Sequence, residues 1–186
     1  EVCGESRIPE IGKPIARVYL LPEHPAAQPE AVSAILEADL IVLGPGSLYT
    51  SVVPNVLVEG IAKALIQADG LKVYVCNVAT QPGETDGYNV EAHVEALVKH
   101  LPGKANPIDV VIAPRHPDLS LALEPGISLV KTAPSRMTHT RVMVEDVVRN
   151  DLALRHDPDK LATVLMRIYE EERRTRATSG HARYVS

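Results

Sequence analysis

Short aliphatic runs alternate with helix-spaced apolar positions through the middle of the chain. The runs Leu40–Leu43, Lys72–Val78 and Asp109–Ala113 have the composition of strands that are buried in a parallel sheet. Between them, apolar residues recur every three or four positions from about Pro54 and again from about Asn89. This strand–helix–strand–helix–strand order predicts an α/β protein with a parallel sheet and right-handed crossovers.

Weaker patterns flank this central region on both sides. Residues 170–186 contain almost no core-forming side chains, so we expect a solvated helix end that runs into a flexible, charged tail. We assign residues 1–169 to the folded domain. Before the central region, the sequence predicts two strands within residues 1–22, of which Ile15–Leu21 is the better, and a helix beginning at Pro29. After it, the sequence predicts a strand over Val142–Val148 and a helix that begins at Pro158 with Asp157 as its cap.

The composition narrows the class of protein. The 186 residues carry a formal net charge of -5, with no long basic block and neither Trp nor Phe, which argues against a nucleic-acid-binding protein. No apolar run approaches the roughly 20 residues that are needed to cross a bilayer. The two cysteines, Cys3 and Cys76, lack metal-ligand spacing, so we expect reduced thiols in a cytoplasmic protein.

The first loop with candidate chemistry directly follows the Leu40–Leu43 strand. Its glycines, Gly44 and Gly46, let a backbone approach an anion closely, and the hydroxyls of Ser47 and Thr50 can donate hydrogen bonds to it. A strand that feeds such a loop and then a helix is a common phosphate-binding arrangement in α/β proteins. The alternative is an ordinary turn whose hydroxyls cap the helix, and the loop matches neither G-x-G-x-x-G nor the lysine-bearing phosphate loop.

A second polar loop follows the next strand. Its candidates for binding ribose, sugar hydroxyls or a base are Asn77, Thr80, Gly83, Glu84 and Asp86. Because the carboxyl ends of neighbouring parallel strands share one edge of a sheet, we expect this loop to lie beside the first. Glu84 and Asp86 are also weak candidates for Mg²⁺ ligands. The alternative interpretation is that Asp86 or Asn89 caps the following helix and that Glu84 is solvated.

The remaining ionisable residues single out no catalytic group. Arg141 and Arg155 are candidates for a phosphate clamp, although a solvated arginine is the usual state of this residue type. His93 falls in the apolar register of its helix, which favours a packed histidine. The spacing defines no Ser–His–Asp or Cys–His arrangement, so the catalytic residues stay unknown.

Three segments of the chain resemble the YvcK-like gluconeogenesis factor family of bacteria, which is related to the CofD phospholactate transferases. Residues 38–61 read ADLIVLGPGSLYTSVVPNVLVEGI, residues 72–94 read KVYVCNVATQPGETDGYNVEAHV, and residues 154–162 read LRHDPDKLA. The segment GESRI at residues 4–8 is similar to the family's G-E-S-x-I. The resemblance covers roughly residues 1–165 of the chain.

The resemblance implies a Rossmann-like domain, with a mostly parallel sheet and helices on both faces. Members of that family are usually longer and begin with a glycine-rich nucleotide loop. We therefore expect this chain to be the carboxyl-terminal part of the domain, without its amino-terminal part. The exposed edge of the sheet would then need cover, either from the missing half or from a second copy in a homo-oligomer.

The resemblance also implies a function. It indicates a cytoplasmic protein that binds a nucleotide sugar such as UDP-N-acetylglucosamine, or a dinucleotide such as NAD, and links gluconeogenic carbon metabolism to cell-wall precursor supply and cell shape. Carried onto this sequence, the ligand-facing residues are Gly44, Gly46, Ser47, Thr50, Asn77, Thr80, Gly83, Glu84 and Asp86.

Two alternatives stay open beside the binding regulator. The first is a CofD-like phospholactate transferase, in which Glu84 or Asp86 holds Mg²⁺ and the first loop cradles the transferred phosphate. The second is a protein-interaction module, whose partners contact the acidic surface and the charged tail at residues 170–186.

Overall fold

The structure of the protein is a computed structural model, in which two layers of helices enclose one sheet. It describes residues 2–4, 7, 12–116, 123–132, 137, 140–151 and 154–181, the side chains of residues 179–181 excepted. In chain order, its helices and strands are α1 (Pro29–Glu37), β1 (Leu40–Leu43), a π-helical turn (Leu48–Val52), α2 (Val53–Val56), α3 (Glu59–Gln67), β2 (Leu71–Val75), α4 (Val90–Lys99), a 3₁₀ turn (Pro102–Lys104), β3 (Val110–Pro114), β4 (Arg141–Glu145) and α5 (Pro158–His181).

The four described strands form one parallel sheet in the order β1-β2-β3-β4. Val42 lies opposite Val73, and Val73 lies opposite Val110, so the aliphatic runs are in register across the sheet. Every β2 and β3 residue is buried, as expected for the inner strands of a covered parallel sheet. The three strands predicted from the central aliphatic runs are therefore confirmed.

Helices cover both faces of this sheet, which confirms the predicted α/β architecture. Side chains alternate between the faces along each strand, so Tyr74 and Val111 meet α2, α3 and α4 on one side. Val73 and Ile112 point to the other side, where Leu161 and its neighbours on α5 cover them. Because successive crossovers α3 and α4 share one face, all the parallel strands advance in the same direction across the sheet.

The helix predicted from about Pro54 is divided in two. A π-helical turn leads into the short α2, and α3 starts only at Glu59. The break lies at Val58, whose backbone is extended with ψ of 109°. This turn brings Gly60 against the connector before α1, where an added Cβ would lie 2.6 Å from the Cβ of Ala27. The chain therefore packs closely against that connector at the point where the predicted continuous helix is interrupted.

The predicted strand at Ile15–Leu21 is wrong. Residues 14–20 have no strand partner among the described residues, and side chains at the C-terminal end of α4 contact this segment instead. The Val18 N–H donates to Nε2 of His100 at 3.2 Å, and Nζ of Lys99 donates to the Ala16 carbonyl at 3.0 Å. The strand predicted at Val142–Val148 is shorter than expected and spans β4 only.

The last helix is longer than the sequence predicts. Residues 170–181 belong to α5, whereas we expected a helix end and a flexible tail there. Ion pairs one turn apart, such as Arg176 with Glu172 at 3.2 Å, support the solvated end of the helix. Arg176 also donates to the Asp69 carbonyl at 2.7 Å, which ties this end to the rest of the fold. Residues 182–186 lie outside the described residues.

Candidate functional site

Two polar loops meet at the carboxyl edge of the sheet. The first loop, residues 44–51, follows β1, and the second loop, residues 76–89, follows β2. Three side-chain hydrogen bonds join them: Gln81 Nε2 donates to Ser47 Oγ at 2.7 Å, Thr50 Oγ1 donates to Glu84 Oε1 at 3.3 Å, and the hydroxyls of Tyr49 and Tyr88 lie 2.7 Å apart. The predicted side-by-side arrangement of the loops is confirmed.

Glycine is required where the first loop leaves β1. Gly44 has φ of +84°, and a Cβ added there would lie 3.0 Å from the carbonyl oxygen of Val75 on the neighbouring strand. A Cβ on Gly46 would lie 3.2 Å from the Cβ of Ser51. At Gly44 the backbone of the first loop therefore passes close to the end of β2, and at Gly46 the loop packs against its own Ser51.

The two loops form the floor of an open cleft of about 700 Å³. Gly46 and Ser47 contribute from the first loop, and Asn77, Thr80 and Gln81 from the second. The opposite side includes two antiparallel arms, residues 147–151 and 154–157, which we call the wall hairpin. Leu154, Arg155 and His156 of its second arm line the cleft. The volume is within the range that small-molecule sites occupy.

A chain of side-chain hydrogen bonds sets the polarity of the cleft floor. Asn77 Nδ2 donates to Gln81 Oε1 at 3.1 Å, and Gln81 Nε2 donates in turn to Ser47 Oγ at 2.7 Å. Because Ser47 accepts from Gln81, its own O–H proton is left to donate to a bound acceptor. Asn77 keeps its side-chain oxygen to accept from a bound donor. The floor therefore offers a donor beside the first loop and an acceptor beside the second.

Arg155 of the wall hairpin contributes positive charge to the cleft. Arg155 is an exposed cleft-lining residue, and within the described part of the chain no carboxylate lies at ion-pair distance from it. A guanidinium can form two parallel hydrogen bonds with a phosphate or carboxylate. The donor at Ser47 on the floor and Arg155 on the wall together suit the cleft to an anionic group. Arg141, the other predicted clamp, is on β4 and is not a lining residue of this cleft.

The predicted ligand-facing residues divide into two groups. Gly46, Ser47, Asn77 and Thr80 line the cleft, although Thr80 Oγ1 is buried and accepts from the Ser128 N–H at 2.9 Å. The remaining predicted residues lie outside the lining of this cleft: Gly44 lines a neighbouring groove, Thr50 and Glu84 bind each other, and Asp86 accepts from the N–H of Gly83 at 2.8 Å.

The weak metal candidates occupy different environments. Glu84 is only 6% exposed and its carboxylate faces Thr50, whereas Asp86 is exposed and caps its own turn. Across the described ranges, no three His, Cys, Asp or Glu side chains come together in a group that could hold a metal ion. Magnesium therefore stays a prediction that belongs to the transferase alternative.

Sequence reasoning missed Gln81 and His156 as lining residues of the site. Gln81 lies inside the second loop, where its position four residues after Asn77 was the available signal. His156 has no local signal, because its partner is 80 residues away: Nε2 donates to the Cys76 carbonyl at 3.1 Å. That contact fastens the wall hairpin to the end of β2.

Burial controls the ionisation of the groups around the cleft. It lowers the pKa of both His93 and His156, against the opposing effect of a hydrogen bond from each ring to a backbone carbonyl. It also raises the pKa of the Cys76 thiol and, together with the hydrogen bond to Tyr88, the pKa of Tyr49. The histidines are therefore neutral near pH 7, and Cys76 is a protonated thiol rather than a nucleophile.

A protein-family model described as 2-phospho-L-lactate transferase CofD matches residues 1–171. The chain belongs to the CofD family. The gluconeogenesis factor of Bacillus subtilis strain 168 is 39% identical over 178 residues, which cover 91% of this CofD-family chain and 55% of the relative. The gluconeogenesis factor of Halalkalibacterium halodurans is 54% identical over 99 residues, which cover 53% of the chain and 31% of the relative.

A crystal structure of a UPF0052-family protein from Bacillus halodurans has the same fold. It matches this CofD-family chain with a TM-score of 0.77 at 35% identity, over 89% of the chain and 55% of the solved one. The resemblance to the gluconeogenesis factors is thereby confirmed. The chain spans about half the length of the Bacillus subtilis relative and of the solved structure. Within the described residues, none of its helices combines the length and the apolar composition that a membrane span requires.

The buried histidines make the stability of this CofD-family chain depend on pH. Folding lowers the pKa of His156 below its value of about 6.5 in the unfolded chain. The neutral ring therefore contributes fully to the free energy of unfolding above about pH 6.5, and this contribution is lost as the pH falls toward the pKa of the folded state. We expect the free energy of unfolding in urea to decrease between about pH 7.5 and about pH 5.5, and His156→Gln to make that decrease smaller. The exposed His24→Gln is the control, and an equally steep decrease in H156Q would contradict the prediction.

Proposed function

We propose that the cleft binds a phosphorylated nucleotide sugar, of the UDP-N-acetylglucosamine type, and that the protein is a binding regulator. The observation that carries this proposal is the Asn77–Gln81–Ser47 chain, because it leaves the Ser47 proton available to an acceptor. Arg155 adds positive charge on the opposite wall. A diphosphate between Ser47 and Arg155 would receive a neutral and a charged donor, which is the combination that anionic ligands favour.

The second loop suits the hydroxyl-rich part of such a ligand. The side-chain oxygen of Asn77 accepts hydrogen bonds, and sugar hydroxyls donate them. The cleft volume of about 700 Å³ accommodates a ligand larger than a single phosphate. The name of the relatives, gluconeogenesis factor, supports a role in gluconeogenic carbon metabolism. In this proposal the bound sugar reports cell-wall precursor supply in the cytoplasm and so links that metabolism to cell shape.

Calorimetric titration with UDP-N-acetylglucosamine tests the proposal. We expect Ser47→Ala and Arg155→Ala each to raise Kd about tenfold, because each removes a hydrogen bond to a charged group worth about 1.5 kcal/mol. Ser33→Ala on α1 and Arg173→Ala on α5, both exposed and outside the cleft lining, should leave Kd unchanged. If the wild-type chain gives neither heat nor a thermal shift at millimolar ligand, the proposal is wrong, since ligand that binds the native state must stabilise it.

A phospholactate transferase is the second candidate, and the description of the matching family model favours it. In this reaction an acceptor hydroxyl attacks the phosphorus of a nucleotide-activated phospholactate, and a nucleoside monophosphate leaves. Asp86 is the exposed carboxylate of the second loop and would hold Mg²⁺. We expect Asp86→Asn to abolish release of the nucleoside monophosphate and the exposed Glu95→Gln on α4 to retain it. Equal turnover in both variants would exclude this role for Asp86.

The outer edge of β1 is the part of the protein that we propose to be covered by another polypeptide. Among the described strands, β1 has a partner only on its β2 side. Beside it runs a groove of about 310 Å³ lined by Ile35, Ile41, Val42 and Ile61, and no residue of α1 is buried. An unpaired edge between apolar surfaces attracts a further strand. The proposed occupant is a parallel strand from the part of the gluconeogenesis factors that this chain does not span.

Mixing experiments test this edge. The partner is a polypeptide made of the part of the Bacillus subtilis relative that the chain does not match, and we expect a 1:1 complex by analytical ultracentrifugation. Val42→Lys should prevent it, because a charge on an edge strand blocks pairing. Val144→Lys on the opposite edge strand is a matched control, since both valines are 39% exposed. Self-association of the chain that Val42→Lys abolishes would instead assign the edge to a second copy.

A further inference from the structure

The ammonium group of Lys160 lies among four oxygen atoms. Its Nζ is 3.0 Å from each carboxylate oxygen of Asp146, 3.0 Å from the Val148 carbonyl and 3.2 Å from Oδ1 of Asn150. The three N–H groups of the ammonium therefore donate hydrogen bonds to three residues, Asp146, Val148 and Asn150, of one short segment, residues 146–150. Hydrogen bonds from a charged donor are roughly twice as strong as neutral ones. Lys160 thus ties this segment to the first turn of α5.

Segment 146–150 includes most of the first arm of the wall hairpin and pairs with the other arm, which borders the cleft. Val148 and His156 form an antiparallel bridge. The Arg149 N–H donates to the Arg155 carbonyl at 3.0 Å, and the Asp157 N–H donates to the Val147 carbonyl at 2.8 Å. The backbone position of Arg155 therefore depends on the segment that Lys160 holds.

The second arm of the wall hairpin has anchors of its own on both sides of Arg155. The Asp157 carboxylate accepts from the N–H groups of Asp159 and Lys160, both at 3.0 Å, as the N-terminal cap of α5. The His156 ring is bound to the Cys76 carbonyl. Lys160 links the first arm to α5 through the Val148 carbonyl, so it fixes that arm, and with it the paired second arm, relative to the start of α5.

We infer that Lys160 is a positioning residue of the cleft, which holds the wall hairpin so that Arg155 faces the bound phosphate. This inference rests on the proposed function of the cleft. The lysine side chain is 28% exposed and that of Asp146 is 61% exposed, so water can solvate both when they are separated. The ion pair therefore contributes little to global stability, and its effect on ligand binding can be measured separately.

Lys160→Met tests the inference because it keeps an unbranched apolar stem and removes the charge. We expect Kd for UDP-N-acetylglucosamine to rise about tenfold, which corresponds to about 1.4 kcal/mol. Lys63→Met is the matched control, since Lys63 is also a helical lysine in an ion pair, with Glu59 on α3, away from the wall hairpin. An unchanged Kd in K160M, or an equal rise in K63M, would overturn the inference.

A double-mutant cycle separates positioning from a general structural effect. If Lys160 acts through Arg155, Lys160→Met should raise Kd about tenfold in the wild-type background and leave it unchanged in the Arg155→Ala background. A loss of equal size in both backgrounds would show that the lysine acts independently of Arg155, and the inference would be wrong.

Amide hydrogen exchange tests the same residue without any ligand. The N–H groups of Arg149 and Asp157 span the wall hairpin, so they should exchange faster in K160M and at the wild-type rate in K63M. Unchanged exchange in K160M rejects the inference. If the amides respond as expected but the wild-type chain binds no UDP-N-acetylglucosamine, the proposed function fails while the role of Lys160 in holding the hairpin stands.

Discussion

The approach of Gly44 to the carbonyl of Val75 is the constraint on which the site depends. It brings the first loop across the end of β2, at a distance and a positive φ that exclude a side chain at this position. In this arrangement Ser47 contacts Gln81, and Thr50 contacts Glu84. The cleft thus follows from a backbone contact between two parallel strands, and the side chains that line it add polarity to a shape already set.

The direction of the hydrogen bonds across the floor determines which of its groups are left to donate and which to accept. The neutral chain from Asn77 through Gln81 ends on the Ser47 oxygen, which accepts, so the Ser47 hydroxyl proton is left as a donor beside the first loop. The positive charge of Arg155 comes from a different part of the chain, the wall hairpin between β4 and α5. The proposed anion site therefore combines a floor and a wall from different parts of the chain, and His156 and Lys160 connect the wall to β2 and to α5.

The two edges of the sheet differ in their surroundings. Val42 and Val144 are equally exposed, but β1 lies beside an apolar groove and a helix without buried residues. The fold shared with a longer solved relative accounts for the sheet and its helices, and the cover of β1 is the part that we propose another polypeptide supplies. Membership of the CofD family alone does not decide between binding and transfer, because the same scaffold can carry either activity.

Local sequence patterns were sufficient to predict the central strands of the sheet and the position of the two loops. Aliphatic runs and helical spacing are properties of neighbouring residues, so β1, β2 and β3 could be predicted, and parallel order then placed both loops at one edge. The Ile15–Leu21 pattern failed because a strand also needs a partner strand, and among the described residues this segment contacts side chains at the C-terminal end of α4 instead. Contacts between distant residues decided the rest: Glu84 is turned inward by Thr50, 34 residues away, and His156 reaches Cys76 across 80 residues. Such pairings depend on how the layers pack, which composition and spacing along the chain do not contain.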